Sequence, residues 1–236
     1  MEQKTTEWYL ARKGRFTASD ISDLLATSKK KGEVFGDTAM SYINSKINEI
    51  LMPNSTFIDF IDEYQLSTPA IRWGNMFEDE ARNLYAERTG FIVLETGFFE
   101  YGNFAGGSPD GIMPSEDGII EIKCPFEGNK HIMFMEMTKP EDLLNVNKKY
   151  YYQVQANMLF TGTSFCDFIS FNPRMSDLMK MKQLRIDRDN NAINLLKERI
   201  QLASELLESK ISNLSRIARE QYVQYGTISS EYSTRT

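Results

Sequence analysis

Ser108-Pro109-Asp110-Gly111, followed by Gly118-Ile119-Ile120-Glu121-Ile122-Lys123-Cys124-Pro125, is the stretch on which the reading of the fold turns. An acid stands in a Gly-rich turn, and ten residues separate it from a Glu-x-Lys on an apolar run. Side chains alternate along a strand, so Ile120 and Ile122 share one face of Gly118–Pro125, while Glu121 and Lys123 share the other. Alternate residues on one face lie roughly 7 Å apart. The turn, rich in Gly106, Gly107, Pro109 and Gly111, brings Asp110 beside Glu121 if the flanking strands pair as a hairpin.

Two carboxylates at this spacing can hold a divalent cation, and a lysine two residues on can stand beside an attacking water. That is the arrangement a metal-dependent phosphodiester hydrolase of the PD-(D/E)xK type requires. A surface hairpin with an ordinary solvated Glu/Lys pair fits the same spacing, so the rest of the chain has to decide between them.

The bulk composition narrows the choice. A chain of 236 residues, 41% hydrophobic, can bury one substantial core, and a single domain is expected over 1–236, with its core at about 5–219 and a polar, mobile tail at about 222–236. No signal peptide or long apolar span is visible, which leads us to expect a soluble cytoplasmic protein with no membrane partner. Cys124 and Cys166 are too few for an iron–sulfur cluster or a cysteine-built zinc site, and buried thiols are expected for both. The lone His131 argues against a histidine metal site or a Ser-His-Asp triad and is assigned an incidental surface or packing role. A formal charge of −6 argues against a general polyanion binder, although a local groove can still be positive.

Along the chain, Thr5–Leu25 reads as two short helical pieces broken at Gly14, with capping chemistry in Thr17-Ala18-Ser19-Asp20. A basic loop from Lys29 to Gly36 precedes an amphipathic stretch over Asp37–Leu51, and Pro53–Ser67 reads as irregular or weakly helical. A helix is expected from Pro69 to Arg88, stopped by Gly90. Strands are expected at Phe91–Glu95, Phe98–Phe104, Phe165–Phe171 and Met181–Asp187. One helix is expected from Pro140 to about Phe160, and another from Asp189 to about Arg219 with Ile193, Leu196, Ile200, Ala203, Leu207, Ile211 and Leu214 at helical spacing. Met133, Met135 and Met137 are assigned to packing. The fold class expected is α/β, a restriction-endonuclease-like core with a central mixed sheet flanked by helices.

Flanking constellations add weight. Trp8-x3-Arg12-x6-Ser19 can form an anion pocket, Arg12 offering a planar fork and Ser19 sitting at a helix start. A capped helix with a solvated arginine explains that stretch equally well. Glu78, in Arg72-Trp73-Gly74-x3-Glu78, can add a carboxylate to the metal site. Tyr150, Gln153 and Asn157 share one helix face, and Gln155 points elsewhere.

In this order, Trp-x3-Arg with Thr-Ala-Ser, Trp-Gly-x3-Glu, Ser-Pro-Asp-Gly, Glu-x-Lys-Cys-Pro, Gln-Val-Gln and Asn172-Pro173-Arg174-Met175 closely resemble the lambda-type phage exonuclease family, also called YqaJ-like viral recombinases. The resemblance covers about Trp8 to Asp187. It implies a Mg²⁺-dependent 5′→3′ exonuclease on linear double-stranded DNA, with Mn²⁺ substituting and two ions per site. It implies a homotrimeric ring and a single-strand annealing protein that receives the 3′ overhang, in a bacterial host and encoded by a phage or prophage. By position, Asp110, Glu121 and the backbone carbonyl of Ile122 resemble the metal ligands. Lys123 resembles the lysine that positions or deprotonates the attacking water, and Glu78 and Gln153 resemble further catalytic groups. Arg12, Ser19 and Ser108 match the pocket for the 5′ phosphate. The N-terminal extension of some relatives is expected to be missing. Two rivals stay open: another PD-(D/E)xK nuclease, either an endonuclease or a helicase-associated domain, and a non-catalytic DNA-end-binding module.

Overall fold

A computed structural model describes residues 2–64 and 68–233. Helix α1 (Thr6–Arg12) leads through Gly14, at φ 71°, to strand β1 (Phe16–Thr17) and a 3-10 helix (Ala18–Leu25). Helices α2 (Asp37–Leu51), α3 (Asn54–Tyr64) and α4 (Pro69–Thr89) follow. Next come β2 (Phe99–Tyr101), β3 (Ala105–Gly107), β4 (Gly111–Met113) and β5 (Gly118–Lys123). The chain continues with α5 (Gly128–Met135), α6 (Pro140–Val146), α7 (Lys148–Thr161), β6 (Phe165–Phe171), β7 (Met181–Asp187) and α8 (Asn190–Ser233).

The strands form two mixed sheets, ordered β1-β3-β2 and β4-β5-β6-β7. In the larger, β5 pairs antiparallel with β4 (Gly111 opposite Ile120) and parallel with β6 (Glu121 opposite Phe168). Helices cover both faces of this sheet. On one, Ile119, Phe168 and Cys166 pack with Val154 and Met158 of α7; on the other, Ile120, Ile122 and Ile169 pack with Ala81 and Tyr85 of α4. Burial on both faces explains why β5 is almost continuously apolar. Each fully buried isoleucine contributes roughly 1.5–3 kcal/mol, and against that background a charged Glu121 is conspicuous. A third cluster joins Phe16, Ile21, Ile43, Leu196 and Leu207 across the 3-10 helix, α2 and α8.

Local chemistry sets the boundaries of the two helices that frame the site. The Thr68 hydroxyl accepts the Ile71 N–H at 3.2 Å, Pro69 starts α4, and Gly90 at φ 73° ends it. In α7, the Asn147 side chain accepts from the Tyr150 N–H at 3.1 Å, and Gly162 at φ 79° closes the helix.

Several expectations are corrected. The helix expected over Pro140–Phe160 is two helices, because Asn147 adopts φ −152° and ψ 90° and caps the second. Phe91–Glu95 makes only a bridge, Leu94 to Ile112, and Phe98–Phe104 holds a three-residue strand followed by a turn through Gly102. Of the two alternatives for Pro53–Ser67, Asn54–Tyr64 takes the helical one, and 65–67 lie outside the described residues. The expected polar tail continues α8 as far as Ser233, with 234–236 again outside the described residues. Thr17 occupies the N-cap position of the 3-10 helix, but its hydroxyl bonds to Ser19 Oγ at 3.1 Å and makes no capping bond. His131 is fully buried; its Nε2–H donates to the Met179 carbonyl at 2.8 Å, and Nδ1 meets Ser170 Oγ at 2.8 Å, a packing role. Among the described residues no helix is long and apolar enough to cross a membrane.

Candidate active site

Glu121 lies on the α7 face of β5, only 1% exposed. A buried carboxylate is tolerable only when its lone pairs are used. Three donors meet them: Lys123 Nζ at 2.6 Å and Gln153 Nε2 on Oε1, and Asn157 Nδ2 at 3.0 Å on Oε2. Gln153 and Asn157 are four residues apart on α7, so the polar stripe faces β5 and not solvent. Gln155 instead donates to the Asp187 carbonyl and accepts from the Asp189 N–H, both at 2.9 Å, tying α7 to the start of α8.

Asp110 arrives by the hairpin. Its N–H donates to the Ile120 carbonyl at 3.1 Å, and its Oδ2 accepts the Ile122 N–H at 2.6 Å. The N–H and C=O of one strand residue point toward the same neighbour. The Ile122 carbonyl therefore faces the edge where β4 ends and Asp110 sits. Burial, and then repulsion from Glu121, push the Asp110 carboxyl up to about 7. Close approach, more than turn geometry, explains the glycines here. A Cβ on Gly107 would lie 2.2 Å from Asn157 Oδ1, and one on Gly111 would lie 2.6 Å from Val93.

Burial works against the Lys123 ammonium, but Glu121 and Asp110 outweigh it and raise its pKa. Without a metal, Lys123 is therefore held as a cation, 4.7 Å from the Tyr150 ring, and donates to Glu121. Glu78 is turned toward its own helix, 3.2 Å from Arg82 and 3.7 Å from Lys4. Burial and the Asp110 charge raise its pKa. Arg82 also donates to the Asp110 carbonyl at 2.9 Å, binding α4 to the turn.

Among the described residues no group of three His, Cys, Asp or Glu side chains is placed to hold a metal ion. The donors that do converge are Asp110, Glu121 and the Ile122 carbonyl edge. All are hard oxygens, which suit Mg²⁺ or Mn²⁺. Asp110 and Glu121 lie close enough to repel one another, and a cation held by both would relieve that repulsion. On that evidence the residues fit such an ion.

A cavity of about 420 Å³ opens beside this cluster, with Glu78, Lys123, Tyr150, Phe126 and Lys130 among its walls. The Cys124 thiol lines it too, pushed up to about 12 by burial, then by Glu78 and Asp110, so it stays protonated.

Trp8 organises the second constellation. Its Nε1–H donates to Ser108 Oγ at 2.9 Å, and the Arg12 guanidinium stacks 4.1 Å from its ring centroid. Ser19 Oγ lies 3.1 Å from Thr17 Oγ1 and 3.3 Å from Asp20. The pairing of Thr17 with Gly106 holds the strand leading to Ser108 beside the start of the 3-10 helix, where Ser19 lies. Arg12 borders a second cavity with Thr17, Lys46, Glu49 and Asp20. Both acids are already paired, Asp20 with Lys149 at 2.8 Å and Glu49 with Lys46 at 2.6 Å. Burial lowers the Arg12 pKa without changing its charge near neutral pH.

The reading of the sequence did not place Asn157, Arg82, Tyr150 or Trp8 among the site residues. Asn157 and Tyr150 were visible in the α7 stripe, and Arg82 was visible at four residues from Glu78. Nothing in the sequence signalled that Trp8 would bridge to Ser108, a hundred residues away.

Residues 7–164 match the family model described as the YqaJ-like viral recombinase domain. No curated protein matches the chain. Among solved structures, the chain is similar to an alkaline exonuclease from Laribacter hongkongensis, with 31% identity, TM-score 0.75, and coverage of 92% of this chain and 99% of that one. The complex of that exonuclease with dAMP matches equally well, at TM-score 0.75 and 31% identity over the same shares of both chains. A phage related exonuclease from Haemophilus somnus shares the fold, with 19% identity, TM-score 0.64, and coverage of 85% of this chain and 96% of that one.

Proposed function

The chain belongs to the YqaJ-like viral recombinase domain family, and from that premise we propose that it is a Mg²⁺-dependent 5′→3′ exodeoxyribonuclease. In this reading it digests one strand of linear duplex DNA from 5′-phosphorylated ends and leaves 3′ overhangs for recombination. The observation that carries the proposal is the convergence of Asp110, in the turn that leads into β4, and Glu121 of the paired strand β5, with the Lys123 ammonium 2.6 Å from Glu121. The likeness to the Laribacter hongkongensis alkaline exonuclease supports it.

Each residue then has a task. Asp110, Glu121 and the Ile122 carbonyl would hold the cation. When bound, that ion supplies Lewis-acid polarisation of the scissile phosphate and neutralises its charge. Lys123, kept cationic, orients the attacking water and donates to the phosphate as negative charge builds. Gln153 holds Glu121 in place. Glu78 lines the cavity beside the cluster and would add a carboxylate there; burial and then the Asp110 charge raise its pKa. Arg12, Ser19 and Ser108 would receive the 5′ phosphate, setting the starting end and the direction; each charge-assisted hydrogen bond there contributes roughly 1.5–3 kcal/mol.

A homotrimeric ring, an annealing partner and two ions per site belong to the same proposal. A closed ring retains its substrate without many phosphate contacts, which accommodates a net charge of −6.

The deciding assay compares linear with circular duplex DNA, with and without a 5′ phosphate, in Mg²⁺ and then in EDTA. Mononucleotide release from phosphorylated linear DNA, abolished by EDTA, is the expected result. Cutting of circles would identify an endonuclease, and no cutting at all would leave a DNA-end-binding module.

A further inference from the structure

Asn157 is fully buried and stands one helical turn beyond Gln153 on the same face of α7. Its Nδ2–H donates to Glu121 Oε2 at 3.0 Å, whereas Gln153 and Lys123 both donate to Oε1. The last side-chain torsion of a glutamate is broad when unrestrained. Holding its two oxygens from separate directions stops that rotation.

The other end of the amide is unusual. Among the described residues, Asn157 Oδ1 is buried with no hydrogen-bond partner. It lies where a side chain on Gly107 would come within 2.2 Å, so β3 is pressed against it. Turning the amide over would set Oδ1 against a carboxylate oxygen, acceptor against acceptor, so Glu121 fixes its orientation. An apolar side chain here would carry no unpaired oxygen of its own, since an unpaired buried acceptor is destabilising, but it would take the donor from Glu121 Oε2. Packing alone therefore gives no reason for an amide here; the bond to Glu121 does.

We propose that Asn157 is a positioning residue for divalent-cation binding: it presents Glu121 in the one orientation from which the carboxylate can share an ion with Asp110. The proposal rests on the metal-dependent reading of this site and adds a residue to it.

The test uses Asn157→Leu and Asn157→Ala in the full chain, with Mn²⁺ and Mg²⁺ alone as probes. Binding is read by calorimetry and by the rise in melting temperature over EDTA, without DNA. For both variants the apparent Kd for Mn²⁺ should weaken by about 10–100-fold, the usual effect of losing a group that orients a metal ligand. In EDTA both variants should melt below the wild type, since each takes a donor from the buried Glu121 carboxylate; the metal-dependent rise in melting temperature over that baseline is what separates positioning from stability alone. In turnover, KM for DNA ends should stay unchanged, and kcat lost at low metal should return at high metal. If Asn157→Leu fails to fold, Asn157→Ala reads the same constant. Wild-type metal affinity in a folded variant overturns the proposal and leaves the nuclease reading intact. A wild type that binds neither ion overturns the metal reading itself.

Discussion

Replacing Asp110 with asparagine removes a charge that the metal-free protein holds at a cost. The Asp110 carboxyl rises from 3.8 to about 7 through burial and then through Glu121. At 1.36 kcal/mol per unit, ionising it in the folded state costs about 4 kcal/mol relative to the unfolded chain. Water reaching the half-buried group trims this to a few kcal/mol. The sign follows from linkage. Because the folded pKa is raised, the stabilisation is complete below the unfolded value near 3.8 and is lost as pH rises through about 7. Asparagine does not titrate, and its amide oxygen can still accept the Ile122 N–H. In EDTA, Asp110→Asn should match the wild type near pH 4 and melt higher at pH 8, by roughly 10 °C on the usual scaling for a chain of this size. Mg²⁺ should reverse the order, stabilising the wild type by mass action and leaving the variant unmoved. Differential scanning calorimetry across pH 4–8, with and without Mg²⁺, measures all of this. Coincident melting of the two proteins in EDTA at pH 8 would refute the buried-charge argument.

Arg12→Ala should slow initiation on 5′-phosphorylated ends to the rate on hydroxyl ends; equal rates for variant and wild type on phosphorylated blunt ends would remove the pocket assignment. Lys123→Met should abolish cutting while leaving DNA-end binding measurable by anisotropy, since the ammonium acts on the reacting phosphate. Tyr85→Phe removes the hydroxyl that donates at 2.6 Å to buried Asp167, which is also held by Arg185 and Gln183. It should lower stability by about 1–3 kcal/mol in denaturant titrations with cutting retained. Asp20 is partly buried, yet the Lys149 hydrogen bond and charge hold its pKa below 3.8, so that pairing stabilises above the unfolded value and is lost as pH falls through the folded one. Lys149→Ala should therefore cost stability at pH 6, with the cost shrinking as pH falls below the unfolded value, as read from paired melting curves.

Much of this is legible in the sequence. Thr68-Pro69 and Gly90 bracket α4 because a side-chain cap, a proline and a left-handed glycine act within a few residues of chain. Glu121 and Lys123 share a face because strand period is a backbone property. Gln153 and Asn157 face together because 3.6 residues make a turn. Where the structure departs from the expected helix over Pro140–Phe160, a competing local signal is present: the Asn147 side chain caps a new helix and splits the run in two.

Most helices, the β5, β6 and β7 strands and the alternation that aims Glu121 and Lys123 were legible in the chain, because they follow from short-range backbone geometry. Tertiary packing set the α7 stripe against Glu121 rather than water, turned Glu78 to Arg82, closed the hairpin that delivers Asp110, and joined Ser108 to Arg12 through Trp8. Those depend on which faces meet once helices have covered both sides of the sheet. That choice is made by the summed burial of many apolar side chains distant in the chain, and no local run of residues records it.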